Sequence, residues 1–146
     1  MKRILAALLS TFAVIVSIAG CGEDRKEFPL SGSQEYEAPE DLARDLESGG
    51  ITCSRLQKRE NIVQAAGGAD CWVVVSTGEE DQLVILVFSS EKNREEQIAI
   101  ARRVGEEVGQ YAYIEGGNWL VNCAFTSQCE KVHDILGGDL QRKSFY

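Results

Sequence analysis

Residues 83 to 88 read LVILVF, apolar at every position. A strand with one wet face alternates apolar with polar residues. This one does not, so it calls for a place inside a sheet with both faces covered. It closes a longer stretch, CWVVVSTGEEDQLVILVF from Cys71 to Phe88, in which two β-rich runs flank a polar turn. That arrangement predicts a hairpin. Strand parity groups Cys71, Val73 and Val75 on one side and Trp72 and Val74 on the other. The tip, GEED at 78–81, reads as a polar turn and not as a metal site.

Other elements follow from their punctuation. APEDLARDLESGG predicts a helix: Pro39 suits its first turn, Glu40 and Asp41 its positive end, Leu42, Ala43 and Leu46 share a face, and Gly49 stops it. Residues 54 to 70 carry no clear period. SSEKNREEQIAIARRVGEEVGQ predicts the longest helix, with Ile98, Ala101, Val104 and Val108 as its apolar face, and with Arg102–Glu106 and Arg103–Glu107 spaced four apart on the wet side. In YAYIEGGNWLVNCAF the Gly116-Gly117 pair suits a two-residue hairpin turn with positive φ. That register sets Ile114 against Trp119 and Tyr113 against Leu120. Ala112, Ile114, Trp119, Val121 and Cys123 then form a core face, while Tyr111, Tyr113, Glu115, Asn118, Leu120 and Asn122 look outward. TSQCEKVHDILGG predicts a last helix with Ser127 and Glu130 as a capping box and Val132, Ile135 and Leu136 inward.

The expected fold is therefore α+β, in the order α-β-β-α-β-β-α: a two-layer sandwich of a four-stranded, mainly antiparallel sheet with helices on one face. The two hairpin-then-helix passages form a weak internal repeat. The back of such a sheet needs a cover. The candidates are the segment around Leu56, Ile62 and Val63, the upstream Phe28 and Tyr36, a second copy, or a ligand bound over Trp72, Tyr111 and Tyr113.

The chain's opening belongs to a different logic. Lys2 and Arg3 precede the uncharged run ILAALLSTFAVIVSI, which ends in the small residues Ala19 and Gly20 and then Cys21. This is the layout of an export signal, and the run falls short of the roughly 20 residues that span a bilayer comfortably. Ile18-Ala19-Gly20-Cys21 resembles the lipobox of bacterial lipoproteins. The resemblance implies that the Cys21 thiol receives a diacylglyceryl group, with cleavage just before it. Two acyl chains hold a protein stably on a membrane where one does so only marginally. The expected organisation is a signal peptide at 1–20, a flexible tether at 21–37, with Phe28, Leu30 and Tyr36 as its exceptions able to dock back on the domain, and one α+β domain at 38–146. The expected location is the extracytoplasmic face of the cell membrane, lipid-anchored. Without Lys2 and Arg3 the 15 Lys plus Arg fall to 13 against 23 Asp plus Glu, a formal charge of minus ten. That balance opposes nucleic-acid binding.

Outside the cytoplasm Cys53, Cys71, Cys123 and Cys129 make an even set with three pairings. The expected one is Cys53–Cys71 with Cys123–Cys129, since Cys123 ends a core strand and Cys129 begins the helix that packs on it. Zinc ligation and thiol redox chemistry both lack a C-x-x-C, and His133 is the only histidine. No catalytic motif and no cofactor is indicated, and His133 and Asp134 are adjacent on a helix, where neighbours point apart. GNWLVNC followed by LGGDL, from Gly117 to Leu140, resembles the C-terminal signature of small actinobacterial lipoproteins. The resemblance implies a location and a small α+β domain, and no activity. The expected function is a non-enzymatic module that binds a protein or small ligand. The alternatives are an inhibitor or immunity factor against a secreted hydrolase, and an enzyme with unrecognised carboxylate chemistry.

Overall fold

The computed structural model describes residues 26–144. The segment expected to be a signal peptide, residues 1–20, and Cys21 lie outside the described residues. The body is α+β, with three helices and a six-stranded antiparallel sheet. In chain order the elements are α1 (Pro39–Ser48), β1 (Arg55–Lys58), β2 (Gly67–Val74), β3 (Glu80–Val87), α2 (Glu91–Val108), β4 (Gln110–Glu115), β5 (Trp119–Cys123), α3 (Thr126–Leu136) and β6 (Asp139–Ser144). The sheet order is β1-β2-β3-β5-β4-β6. The four expected strands are present at its centre, and the two additional ones, β1 and β6, form its edges.

Local chemistry places the helices. Pro39 opens α1, and the Asp41 carboxylate reaches back to accept from the Ala38 N–H at 3.2 Å. Ser90 caps α2 by accepting from the Asn93 N–H, and Gly109 leaves it with a φ of 85°. The expected Ser127–Glu130 box does not form. Helix α3 starts earlier, the Phe125 N–H donates to the Gln128 side chain, and Glu130 pairs with Arg142 on β6.

Helices on one face only is a further expectation the fold corrects. Leu42 and Leu46 of α1 and Val132, Ile135 and Leu136 of α3 pack with Cys71, Ile85, Ile114, Trp119 and Val121 on the front of the sheet. Ile98 of α2 packs on the back, with Leu86, Phe88, Tyr113 and Leu120. The reason lies in the crossovers. The segments β3-α2-β4 and β5-α3-β6 each step over one strand in the same direction along the sheet, but β3 and β5 run antiparallel. Two crossovers of the same hand then require opposite faces, and crossovers between parallel strands in one sheet are right-handed almost without exception. Opposite faces also rule out any simple rotation relating the two hairpin-helix passages. LVILVF is buried on both sides as its composition demands: Leu83, Ile85 and Val87 face the front, and Leu86 and Phe88 lie under α2.

The second hairpin keeps its expected faces but not its expected turn. Ile114 pairs with Val121 and Tyr113 with Asn122, a register shifted by two residues. Because side chains alternate with period two, an even shift leaves every residue on its side of the sheet. Gly116 and Gly117 have no positive φ; they are glycine because another segment crosses them closely. A Cβ at Gly116 would sit 2.2 Å from the Gly32 carbonyl oxygen, and one at Gly117 would sit 2.2 Å from that of Gln34.

That crossing segment is the stretch read as a tether. From Phe28 onward it is a strap across the body. Phe28 and Leu30 pack on the front core, the Leu30 N–H donates to the Ile135 carbonyl at 2.8 Å, and the Gly117 N–H donates to that of Gly32 at 2.9 Å. Asn118 clamps the end of the strap. Its side chain accepts from the Tyr36 N–H at 2.8 Å and donates to the Tyr36 and Phe88 carbonyls at 2.8 and 3.2 Å. Tyr36 is buried edge-on to Trp119, and its hydroxyl donates to the buried Asp45 at 3.0 Å. Burial, and then the Asp45 carboxylate, push the Tyr36 hydroxyl well above its ordinary pKa. Lys26 closes the other side of Asp45 with an ion pair.

Candidate binding face

The cysteines pair as expected. Cys53–Cys71 ties the exit of α1 to β2, with Cα atoms 5.1 Å apart, and Cys123–Cys129 ties β5 to α3 across 5.7 Å. Both bridges anchor front-face elements.

Trp72, Tyr111 and Tyr113 do share the back of the sheet, but they do not make one bare patch. Tyr113 is 1% exposed under α2. Tyr111 stacks on it with ring centroids 5.7 Å apart, and Gly105 lets the helix approach so closely that a Cβ there would sit 2.5 Å from the Tyr111 Cβ. The Arg102 guanidinium reaches the Tyr113 hydroxyl at 3.4 Å, so α2 also satisfies the polar end of the ring. None of the covers named from sequence supplies this lid. Ile62 does assist it over Leu86, in space that Gly68 leaves open, whereas Val63 is 73% exposed.

Trp72 lies on β2, three strands away from the tyrosines on β4, about 14 Å across at ordinary strand spacing. No helix packs over that half of the back face among the described residues. Strand β1 pairs with β2 so that Arg55 stands opposite Trp72 and Gln57 opposite Asp70. The Arg55 guanidinium lies over the Trp72 ring, 4.7 Å from its centroid, and its Nη2 lies 4.0 Å from a Glu80 carboxylate oxygen. The Arg59 Nε lies 2.8 Å from an Asp70 carboxylate oxygen. Beside this row opens a cleft of about 660 Å³, lined by Gln57, Arg59, Asn61, Asp70, Leu86 and Gln97. Its outer wall is a loop in which Asn61 and Gln64 hold φ values of 58° and 70°, a left-handed backbone uncommon outside glycine. The flank of α2 on the Gln97 side adds Val104, 49% exposed, and Val108, 69% exposed. Those two were expected in the core. The stripe that does pack, Ile98 and Gly105, is rotated away from them.

The face thus offers an aromatic ring held by a cation, amide and guanidinium donors, and an apolar ledge. Such a surface recognises by stacking and hydrogen bonding. Arg55, Gln57, Arg59 and Asp70 were not among the residues singled out from sequence. The available signal was RLQKR, three basic residues in five within an acidic chain.

The other candidates resolve more simply. GEED is an exposed hairpin tip with Gly78 at a φ of 84°. The His133 side chain is 43% exposed, and its Nδ1 lies 4.0 Å from Asp134. Glu115 stands opposite Asp139 on β6, and burial, opposed by Arg94 and reinforced by Asp139, raises its carboxyl above the usual range. Arg94 donates to the carbonyls of Gly116 and Gly117, so this cluster serves the strap junction. Among the described residues no group of three or more His, Cys, Asp or Glu is placed to hold a metal ion, and no helix is long and apolar enough to cross a membrane. No family model, no curated protein and no solved structure matches the chain.

Proposed function

We propose that the chain is a bacterial lipoprotein, anchored through a diacylglyceryl group on Cys21 to the extracytoplasmic face of the cell membrane, and that it works there as a non-enzymatic binding module. The resemblance of Ile18-Ala19-Gly20-Cys21 to a lipobox supports the location, and the two disulfides suit an oxidising compartment. The binding surface is the open half of the back face, and the observation that carries it is the Arg55–Trp72 stack beside a cleft that opens between β1, the 59–63 loop and the flank of α2. The occupant is a protein segment or a small ligand that presents a flat apolar group with hydrogen-bond acceptors.

A photo-crosslinking amino acid at Gln82, directly opposite Trp72 on β3, tests this in intact cells. The expected result is a discrete adduct that Trp72→Ala abolishes while the purified variant keeps both disulfides and a cooperative unfolding transition. The same adducts from Glu130, on the front of the molecule, or no adduct from position 82, would refute it.

A further inference from the structure

The strap that holds the front of the domain also limits how the domain can sit on a membrane. Its contacts begin at once: Lys26 is ion-paired to Asp45 on α1, Phe28 is packed on the front core, and Leu30 is hydrogen-bonded to Ile135 on α3. All three lie on the α1 and α3 side of the sheet. The Trp72 face lies on the opposite side, which it shares with α2.

Between Cys21 and Lys26 there are five residue steps, and between Cys21 and Phe28 seven. Fully extended chain gains at most about 3.3–3.6 Å per residue, so the leash spans no more than about 18 Å to Lys26 and about 25 Å to Phe28. A folded body of this size is about 35 Å across. To turn its front away from the bilayer the leash would have to pass around half of that body, and it is too short.

We infer that the strap makes the α1 and α3 layer the bilayer-facing side of the protein and presents the Trp72 face away from the lipid. This rests on the reading of Cys21 as the lipid-bearing residue. Gly32 of the strap, Gly116 and Gly117 of the turn it crosses, and the Asn118 clamp hold the exit point of the leash against one side of the sheet. A partner of the back face is therefore met on the side facing away from the headgroups, within one domain's breadth of the membrane. The bilayer itself is excluded as the occupant of that face.

Orientation can be tested separately from natural lipidation. A chain beginning at Cys21 carries one thiol outside the two disulfides, and that thiol can be coupled to a maleimide lipid in phosphatidylcholine vesicles. A fluorescent amino acid is placed either at Glu47, exposed on α1, or at Val104, exposed on α2, with an energy acceptor in the headgroups. The two positions are separated by the sheet and two layer spacings of about 10 Å each, so transfer from position 47 should exceed that from position 104 by roughly two-fold or more. Inserting twenty Gly/Ser residues after Gly22 should bring the two to equality. Equal transfer with the native leash, or stronger transfer from position 104, overturns the inference. A difference that survives the insertion also overturns it, since the orientation would then come from surface adsorption. Because the lipid is attached chemically, these results bear on orientation, while the mass of the native product bears on the anchor.

Discussion

Asn118→Ala is the sharpest perturbation of this structure, because one side chain holds three main-chain groups of two different segments. The variant loses the bonds to the Tyr36 N–H, the Tyr36 carbonyl and the Phe88 carbonyl. At a net value of about 1 kcal/mol for each bond the loss is about 3 kcal/mol, and the Tyr36 N–H left without its acceptor keeps the figure from falling much lower. The loss should also be local. The Tyr36 ring stays against Trp119, and the Leu30–Ile135 and Gly117–Gly32 bonds remain, so the rest of the strap is loosened and not removed. Urea unfolding followed by tryptophan fluorescence should show the midpoint falling with little change of slope. Hydrogen exchange should show lost protection at Tyr36, whose N–H loses its acceptor, with Gly117 and, in the sheet centre, Ile85 and Val121 retaining theirs relative to the global stability. A loss below about 0.5 kcal/mol with unchanged exchange at Tyr36 would refute the clamp.

Three further expectations follow from the same geometry. Gly105→Ala gains about 1 kcal/mol of helix propensity, but its Cβ would meet the Tyr111 Cβ at 2.5 Å; it should lower stability by about 1–3 kcal/mol on thermal or urea unfolding, and a more stable variant would contradict the close packing of α2. Glu115→Gln should stabilise the fold at pH 7. The raised folded pKa of Glu115 means that its contribution is fully present below the unfolded value near 4 and is lost as pH rises, so variant and parent should converge in acid, and a gain that persists at pH 3 would contradict burial and Asp139 as its cause. Replacing Cys53 and Cys71 together by Ser should cost about 3 kcal/mol, against about 2 kcal/mol for Cys123 and Cys129, because the loops closed are 18 and 6 residues long; the reverse order would show that chain entropy does not govern the difference.

How much of this was legible varies with the kind of signal each residue carries. The central strands, the three helices, the faces of β4 and β5 and the cysteine pairs follow from apolar period and spacing. The face assignment even survives an error of two residues in register, since parity is unchanged by an even shift. The edge strands were invisible for a physical reason: RLQK and DLQRKS each carry one leucine among polar residues, as edges exposed to water do, so they offer no apolar alternation to read. Of the apolar face expected for α2, Ile98 does pack while Val104 and Val108 stay exposed, because only Gly105 allows the backbone to close on Tyr111 and a glycine carries no hydrophobic signal. The strap was hidden by composition. Its glycines and serines look like linker, and their purpose appears only when Gly32, Gly116, Gly117 and Gly138 are seen to interleave. Of the candidate face, Trp72 was legible from parity, whereas Arg55, Arg59 and Asp70 sat in the run without a period.

Location and orientation both rest on the proposed anchor at Cys21, and the intact mass of the native protein isolated from its cells tests that anchor directly. A product that begins at residue 21 and carries a diacylglyceryl group, with four cysteines oxidised in two bridges, is the predicted result. A product that begins at Met1, or at Cys21 with no fatty acid attached, would contradict it.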